Sequence, residues 1–505
     1  MVEEPAALAT SRAQTTEVPI DVAALQRRAR RGVIALIGRT AATQLVVLGG
    51  DVYLRRRLEP ADFGLYAIVQ FALAIFMQFG DVGLASALIR QQAAPSRREL
   101  SSAWCLQMLV AIAITAVLWT AAPFMLDFWR DMSKDGVWVL RALSVDLLLS
   151  SARLTPTLLM ERELEYGKLS VLDVLLSVTY YVAAVGFASA GFGVMSLAYA
   201  VLIRSTFGVL GAHLLRPFRP SLVLDWSLIR PIMHFGVRFQ LKSIVGFLCS
   251  ALAPIYGGRV LGQAQLGFIN FGQSTAYFPL RLVEVMARVS FPLFSRLQNE
   301  PKAFAATLER GVMVSAMGTL FFIGLAVGLG PALIHVIYGP KWLPALPIFY
   351  VFAVALGIGF LHPVVAPALD ALGKPGLNLK LMIGWTVAMI ALCAILTPRY
   401  GTIGFVIGYC TPMVIGNVVV LLILKRLVPD AHLWPRTRAL LVGSAAEMLF
   451  GRFVLLNLCN GPFSFAASVL VCLAVFLSIV GLLDRSAVHE ILSLVKTSVP
   501  KPKAV

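Results

Sequence analysis

The chain has 505 residues, of which 58% are hydrophobic and only 14% charged, with a mean hydropathy of +0.82 and a formal net charge of +17. A soluble globular domain carries about 25% charged residues. This chain therefore lacks the charge to coat a water-exposed surface, which excludes a soluble enzyme of this length, a disordered chain and a fibre. An all-α integral membrane protein remains, and the positive charge becomes a question of where it lies.

Residues 1–32 form a polar N-tail without the apolar core and cleavage site of a secretory signal. Its basic cluster, Arg27, Arg28, Arg30 and Arg31, reads as cytoplasmic anchoring charge; a helix over Ile20–Arg31 lying on an anionic membrane face is the other reading. From Val33 onward, apolar runs recur at the roughly 20-residue length that a spanning helix needs. Fourteen spans are expected, at 33–54, 63–89, 102–126, 137–160, 169–188, 193–215, 232–256, 264–290, 311–335, 345–369, 378–396, 401–424, 439–457 and 463–483. The runs are continuous, not alternating, which disfavours a closed barrel.

Fourteen spans place both termini on one side. Of the 43 Lys and Arg, 26 fall on that side when Lys380, at the mouth of the expected span 378–396, is counted with the loop before it, 8 fall in the opposite loops and 9 lie deeper inside spans. Positive charge marks the cytoplasmic side, so both termini are expected there. The discordant outer loop carries Arg55, Arg56 and Arg57, with Glu59 and Asp62 expected to compensate in part. The cytoplasmic segment 216–231, with Leu222, Trp226 and Ile229 among basic residues, is expected to form an interfacial linker helix bounded by prolines. Residues 484–505 are a cytoplasmic C-tail.

The chain also resembles itself at an offset of 203 residues. RRRLEPADFGLY aligns with GRVLGQAQLGFI, placing Arg56 on Arg259, Leu58 on Leu261, Ala61 on Ala264 and Gly64 on Gly267. The offset covers an even number of crossings, so the halves share one orientation, as in parallel transporter repeats. The expected organisation is two parallel six-helix lobes, 33–215 and 232–424, around a central cavity, with two added C-terminal helices in 425–483.

A charge at the centre of a span costs at least about 2.5–3.5 kcal/mol and marks a cavity or a pair. The in-span cations are Arg39, Arg141, Arg153, Arg204, Arg238, Lys242, Arg281, Arg288 and Arg452; the acids are Asp51, Asp81, Asp146, Asp173, Glu284 and Glu447. Arg141 and Asp51 lie near span ends and read as interfacial, and Glu447 and Arg452 as a pair within their own helix region. The others cluster. Arg281, Glu284 and Arg288 share a helix face, Asp146 and Arg153 lie two turns apart, Arg238 and Lys242 are four apart, and Arg39 sits opposite Lys242 in the repeat. A cavity lined by cations is a receptor for phosphate, Arg supplying a fork and Lys a point charge. The competing reading pairs each cation with a carboxylate to lock two helices, but six in-span acids cannot neutralise nine bases. The candidate binding residues are Arg39, Lys242, Arg281 and Arg288, then Arg153, Arg204 and Arg238. Asp81, Asp146 and Glu284 are candidates for ion coupling. For Asp81, a proton-exchanging carboxylate and a salt bridge to a cation such as Arg39 stand as equal readings.

No Walker loop, HExxH motif or GxSxG elbow is present, and the cysteines form no CxxC pair. No metal, cofactor or catalytic constellation is expected. The basic loops face anionic lipid, which argues against nucleic acid as a partner.

Several motifs carry a family resemblance. They are Gly38-Arg39, Gln44, L-x-P-x-D-F-G-x-Y from Leu58 to Tyr66, the F-G-D-x-G-L around Asp81, GRVLGQAQLGFINFGQ from Gly258, and YGPKWLPALPIF from Tyr338. Together they resemble the Wzx-type lipid-linked oligosaccharide flippases of the multidrug/oligosaccharidyl-lipid/polysaccharide transporter superfamily. The resemblance implies two six-helix lobes around a membrane-embedded cavity in the bacterial inner membrane. It implies a cargo of oligosaccharide on polyprenyl diphosphate, moved from the cytoplasmic to the periplasmic leaflet for exopolysaccharide, capsule or O-antigen assembly. Membrane lipids, a polysaccharide polymerase and export machinery are the implied partners. A cation-coupled drug antiporter of the same superfamily is the rival reading; it favours carboxylates in its cavity, against the charge sign here. A membrane enzyme acting on the same lipids needs a larger outer loop than this sequence offers.

Overall fold

The computed structural model describes residues 43–44, 46–80, 88, 95–129, 134–163, 165–228, 230, 252–278 and 294–484. Arg39, Asp81, Arg238, Lys242, Arg281, Glu284 and Arg288 lie outside the described residues; Asp146, Arg153 and Arg204 lie within them. Among the described residues all regular structure is helical. In chain order the helices are α1 (46–57), α2 (Pro60–Gly80), α3 (Arg97–Phe128), α4 (Asp135–Arg162), α5 (Tyr166–Ser189), α6 (Met195–Leu215), α7 (Gln263–Ala276), α8 (Pro301–Ala332), α9 (Leu346–Ile358), α10 (His362–Ala371), α11 (Pro375–Leu427), α12 (Leu433–Phe450) and α13 (Pro462–Leu483).

Eight of the described helices are long and apolar enough to cross a membrane. The expected spans at 33–54, 63–89, 232–256 and 264–290 run beyond the described residues. Large apolar side chains point outward where a soluble protein would place charge: Phe124, Val182 and Phe453 are 74%, 68% and 75% exposed. Lipid, not water, suits that surface. The charged span expected at 137–160 is one continuous 28-residue helix, α4. Its buried residues Val139, Leu140, Leu143 and Leu147 pack with Leu65 and Val69 of α2, Leu118 of α3 and Val201 of α6.

The 53-residue α11 holds two crossings. At Gly401 the backbone takes φ 58°, a conformation open to glycine and strained for other residues. The second half folds back onto the first, bringing Gly408 so close that a Cβ there would stand 2.7 Å from the Cys393 amide nitrogen. The turn falls between the expected spans 378–396 and 401–424.

The main contacts form two groups. Helices α3–α6 pack among themselves and on α2, and α8–α13 pack among themselves and on α7. The groups are joined where α2 crosses α7. A Cβ added to Gly64 would meet the Gln263 carbonyl oxygen at 1.8 Å, and one added to Gly267 would meet the Pro60 carbonyl oxygen at 1.9 Å. These contacts are reciprocal under the 203-residue offset, which relates residue 60 to 263 and 64 to 267. Small residues at such a crossing let two backbones touch without side chains between them.

The linker differs from expectation. Residues 217–221 and 223–225 are non-helical and helix begins at Trp226. Pro217 and Pro220 withhold amide donors. The Ser101 and Ser102 hydroxyls accept the Ser221 and Asp225 amides at 3.2 and 3.0 Å instead, and Arg98 pairs with Asp225 at 3.3 Å. Residues 217–225 are therefore a strap across the start of α3, and the helical part of the segment is confined to Trp226 onward among the described residues.

Candidate functional site at the seam between the helix groups

A cavity of about 460 Å³ opens at the seam. α1 contributes Asp51 and Arg55, α2 contributes Tyr66 and Gln70, and α5 contributes Tyr180 and Tyr181. Asn270 and Gln273 of α7 and Tyr409 of α11 close the other side. A second cavity of about 380 Å³ shares Asp51, Arg55 and Tyr181 and continues toward Gln44, Ser274 and Phe322.

One end of the seam is sealed around Arg55, which is 4% exposed. α1 continues through residue 57, so the arginine read as a loop residue is helical and turned inward. Its Nε donates to Asp51 at 2.6 Å and its Nη2 to Ser274 at 3.2 Å. The guanidinium lies 5.0 Å from the ring centres of Phe63 and Phe271, 5.3 Å from Trp342 and 6.0 Å from Tyr338. Each desolvated cation–π contact is worth about 0.5–2 kcal/mol. The Arg55 carbonyl accepts the Trp342 indole N–H at 2.8 Å. Arg56 donates to the Ile337 carbonyl at 2.7 Å and also to that of Val336. Lys341 donates back to the Leu58 carbonyl at 2.6 Å.

The expected compensation of this arginine run by Glu59 and Asp62 is corrected accordingly. Asp51 neutralises Arg55, Arg56 is spent on carbonyls, and Arg57 lies over the Tyr53 ring at 5.8 Å. Asp62 instead accepts the Glu59 amide at 2.9 Å, and Glu59 meets Lys341 at 3.4 Å.

Arg153, Arg204 and Asp146 do come together, but not on the cavity wall. Asp146 accepts a hydrogen bond from Ser205 of α6. Arg204 faces the Tyr180 ring, 5.9 Å from its centre. Arg153 reaches α6 at Gly208, where a Cβ would come within 2.9 Å of its Nη1. Asp173 adds a second carboxylate to the group. Arg153 Nη1 and Arg204 Nε are buried without hydrogen-bond acceptors. The cluster stands behind Tyr180, which hydrogen-bonds to Tyr66, itself bonded to Gln70 at 2.6 Å.

Two further in-span charges resolve differently. Arg141 lies between Trp138 and Trp119, 5.2 and 5.9 Å from their rings, in the manner of an interfacial anchor. The expected Glu447–Arg452 pair does not form: both Glu447 oxygens are buried without a hydrogen bond, against Gly324 of α8. Sequence reasoning passed over Arg55 and the cavity's tyrosines and amides. The usable signals were the i,i+4 spacing of Asp51 and Arg55, and two amides three apart in the apolar α7.

The structure matches that of a protein described as lipid II flippase MurJ in an inward closed conformation, with a TM-score of 0.69, 14% identity, and coverage of 90% of this chain and 100% of that one. The fold is therefore the same multi-helix membrane fold. Residues 53–347 match the model of the family described as polysaccharide biosynthesis protein, and the chain belongs to that family. The chain is similar to lipopolysaccharide biosynthesis protein WzxC of Escherichia coli (strain K12), at 23% identity over 72% of this chain and 74% of that protein. It is also similar to teichuronic acid biosynthesis protein TuaB of Bacillus subtilis (strain 168), at 27% identity over 57% of this chain. The match spans 59% of the length of TuaB.

Proposed function

We propose that this chain moves polyprenyl-diphosphate-linked oligosaccharide from the cytoplasmic to the periplasmic leaflet of a bacterial inner membrane, as a step in polysaccharide assembly. Both termini are cytoplasmic in this reading, so the end sealed by Arg55 and Trp342 faces the periplasm and the cargo enters from the other side. The observation that carries the proposal is a polar cavity on the seam between two helix groups, in a chain of a polysaccharide biosynthesis family. The sugar and diphosphate cross through the seam while the polyprenyl tail stays in lipid. Arg39, Lys242, Arg281 and Arg288, with Arg238, supply the positive field that draws the diphosphate inward, and Arg153 and Arg204 add spare donors behind the Tyr180 wall. Asp81, Asp146 and Glu284 are the groups through which an ion gradient drives the cycle. A polymerase and export machinery take the product on the far side.

Deleting the chain from its host is expected to stop polymer export and to trap lipid-linked oligosaccharide on the cytoplasmic leaflet. Arg39→Ala/Lys242→Ala is expected to insert normally and to give the same block. Full export by that double variant contradicts the role given to those two cations. Transport of organic cations by the purified chain, without movement of lipid-linked sugar, favours the antiporter.

A further inference from the structure

The described wall of the cavity carries one carboxylate and one guanidinium, Asp51 and Arg55, and they are already paired with each other. That compartment is electrically balanced. Its guanidinium has no accessible donor for phosphate: Nε and Nη2 are engaged, and Nη1 is buried. A diphosphate needs the opposite, positive donors in excess.

What the wall does offer is aromatic and amide. Four tyrosines line it, Tyr66, Tyr180, Tyr181 and Tyr409. Asn270 and Gln273 stand one turn apart on α7, and Gln273 Nε2 donates to the Tyr409 hydroxyl at 3.3 Å. No hydrogen bond engages the Asn270 amide among the described residues. A planar amide has a donor and an acceptor side by side and can bridge two neighbouring hydroxyls. An aromatic face takes the C–H side of a pyranose. A cavity of about 460 Å³ lies within the roughly 300–1,000 Å³ range of small-molecule sites. Neutral, aromatic and amide-lined is the chemistry of an uncharged polyhydroxylated ligand.

We infer that this compartment is the glycan subsite: it takes uncharged pyranose rings of the cargo, stacked on the tyrosines and held by Asn270 and Gln273, while the diphosphate is held elsewhere in the chain. The inference rests on the lipid-linked cargo reading and divides that cargo between two chemically different compartments. Binding energy for the sugar and for the diphosphate is then separable by mutation.

The experiment uses two probes on the purified full chain: undecaprenyl diphosphate without sugar, and the lipid-linked oligosaccharide extracted from host cells lacking the chain. Asn270→Ala/Gln273→Ala is expected to weaken binding of the oligosaccharide by about tenfold or more, two hydrogen-bonding groups being lost, and to leave binding of undecaprenyl diphosphate unchanged. Tyr409→Phe keeps the ring and removes one hydroxyl, and serves if the double variant fails to fold. It is expected to give a smaller loss, again confined to the sugar-bearing probe. An equal loss for both probes, or no loss for either, overturns the glycan subsite and leaves the transport reading intact. Wild-type protein that binds neither probe overturns the transport reading and the subsite together.

Discussion

The sealed seam and the α4–α6 cluster both place arginines inside apolar helices, and they differ in what holds those arginines. At the seam, Arg55 has an acid on Nε, a hydroxyl on Nη2 and four rings around its plane, and the neighbouring Arg56 and Lys341 are spent on carbonyls across the seam. In the cluster, Arg153 and Arg204 share Asp146, Asp173 and one tyrosine face, and each keeps a buried N–H without an acceptor. The first region is built to hold two helix groups together. The second spreads two cations over shared carboxylates, which suits a transient anionic visitor. Arg55 Nη1 is likewise buried without an acceptor, so an unsatisfied donor alone does not separate the two roles; the set of partners does, an acid, a hydroxyl and four rings fixing Arg55 while the cluster arginines share carboxylates and one ring.

Breaking the seam at its closest point is expected to have the largest effect. Gly267→Ala puts a methyl group about where the Pro60 carbonyl oxygen already sits, and backbone cannot step aside as a flexible side chain can. Export is expected to vanish, with the chain recovered poorly in detergent by size-exclusion chromatography. Arg55→Met comes next. It empties the ring cage and leaves Asp51, 31% exposed, without its partner, a loss below the about 3–5 kcal/mol of breaking a fully buried pair, read as a lowered Tm. Asp51→Leu/Arg55→Met is expected to recover most of that Tm, because an apolar pair of similar volume replaces a buried ion pair at little net cost. A double variant no more stable than Arg55→Met contradicts the pairing.

The cluster is expected to behave the other way. Arg153→Gln keeps hydrogen-bonding capacity and helix propensity and leaves Arg204 in the cluster with Asp146 and Asp173, so Tm stays close to that of the wild type while lipid-linked cargo binds less tightly. A large fall in Tm with unchanged binding makes the cluster a structural lock like the seam. The smallest effect belongs to the strap outside both regions. The Ser227 hydrogen bonds, with Arg98 assisting, hold the Asp225 carboxyl below its ordinary value. A lowered folded value means that its contribution is complete at neutral pH and fades as pH falls through that value into the acid range. Asp225→Asn is expected to raise protease cleavage of residues 217–225 slightly at pH 7 and to abolish the acid dependence of that cleavage.

Much of the architecture was legible because hydropathy and helix length are one-dimensional quantities. The double crossing within α11 was readable from two apolar runs separated at residues 397–400, and the likeness of Gly64 to Gly267 from the repeat. That those two glycines meet each other was not readable, since similarity between segments says nothing about whether they touch. Arg55 was misplaced for a related reason. The hydrophobic run ends at Leu54, but the helix continues for three residues because Leu58 is buried and Asp51 waits one turn back. Glu447 looked paired because Arg452 is five residues away; the carboxylate turns instead toward Gly324, on a helix the local sequence cannot reveal. Charge counting found that cations exceed acids in the spans. It did not find the balanced aromatic compartment, whose tyrosines and amides add nothing to a charge count.

The most direct test of the central claim is translocation by the purified chain in liposomes. The lipid-linked oligosaccharide accumulated by deletion cells is loaded in both leaflets, and the fraction reached by an added impermeant glycosidase is followed with time. Full-length protein is expected to carry the protected inner-leaflet half into reach of the enzyme, while Gly267→Ala and protein-free liposomes stop at the outer-leaflet half. Wild-type protein that also stops at the outer half, in vesicles where its insertion is verified, contradicts the account.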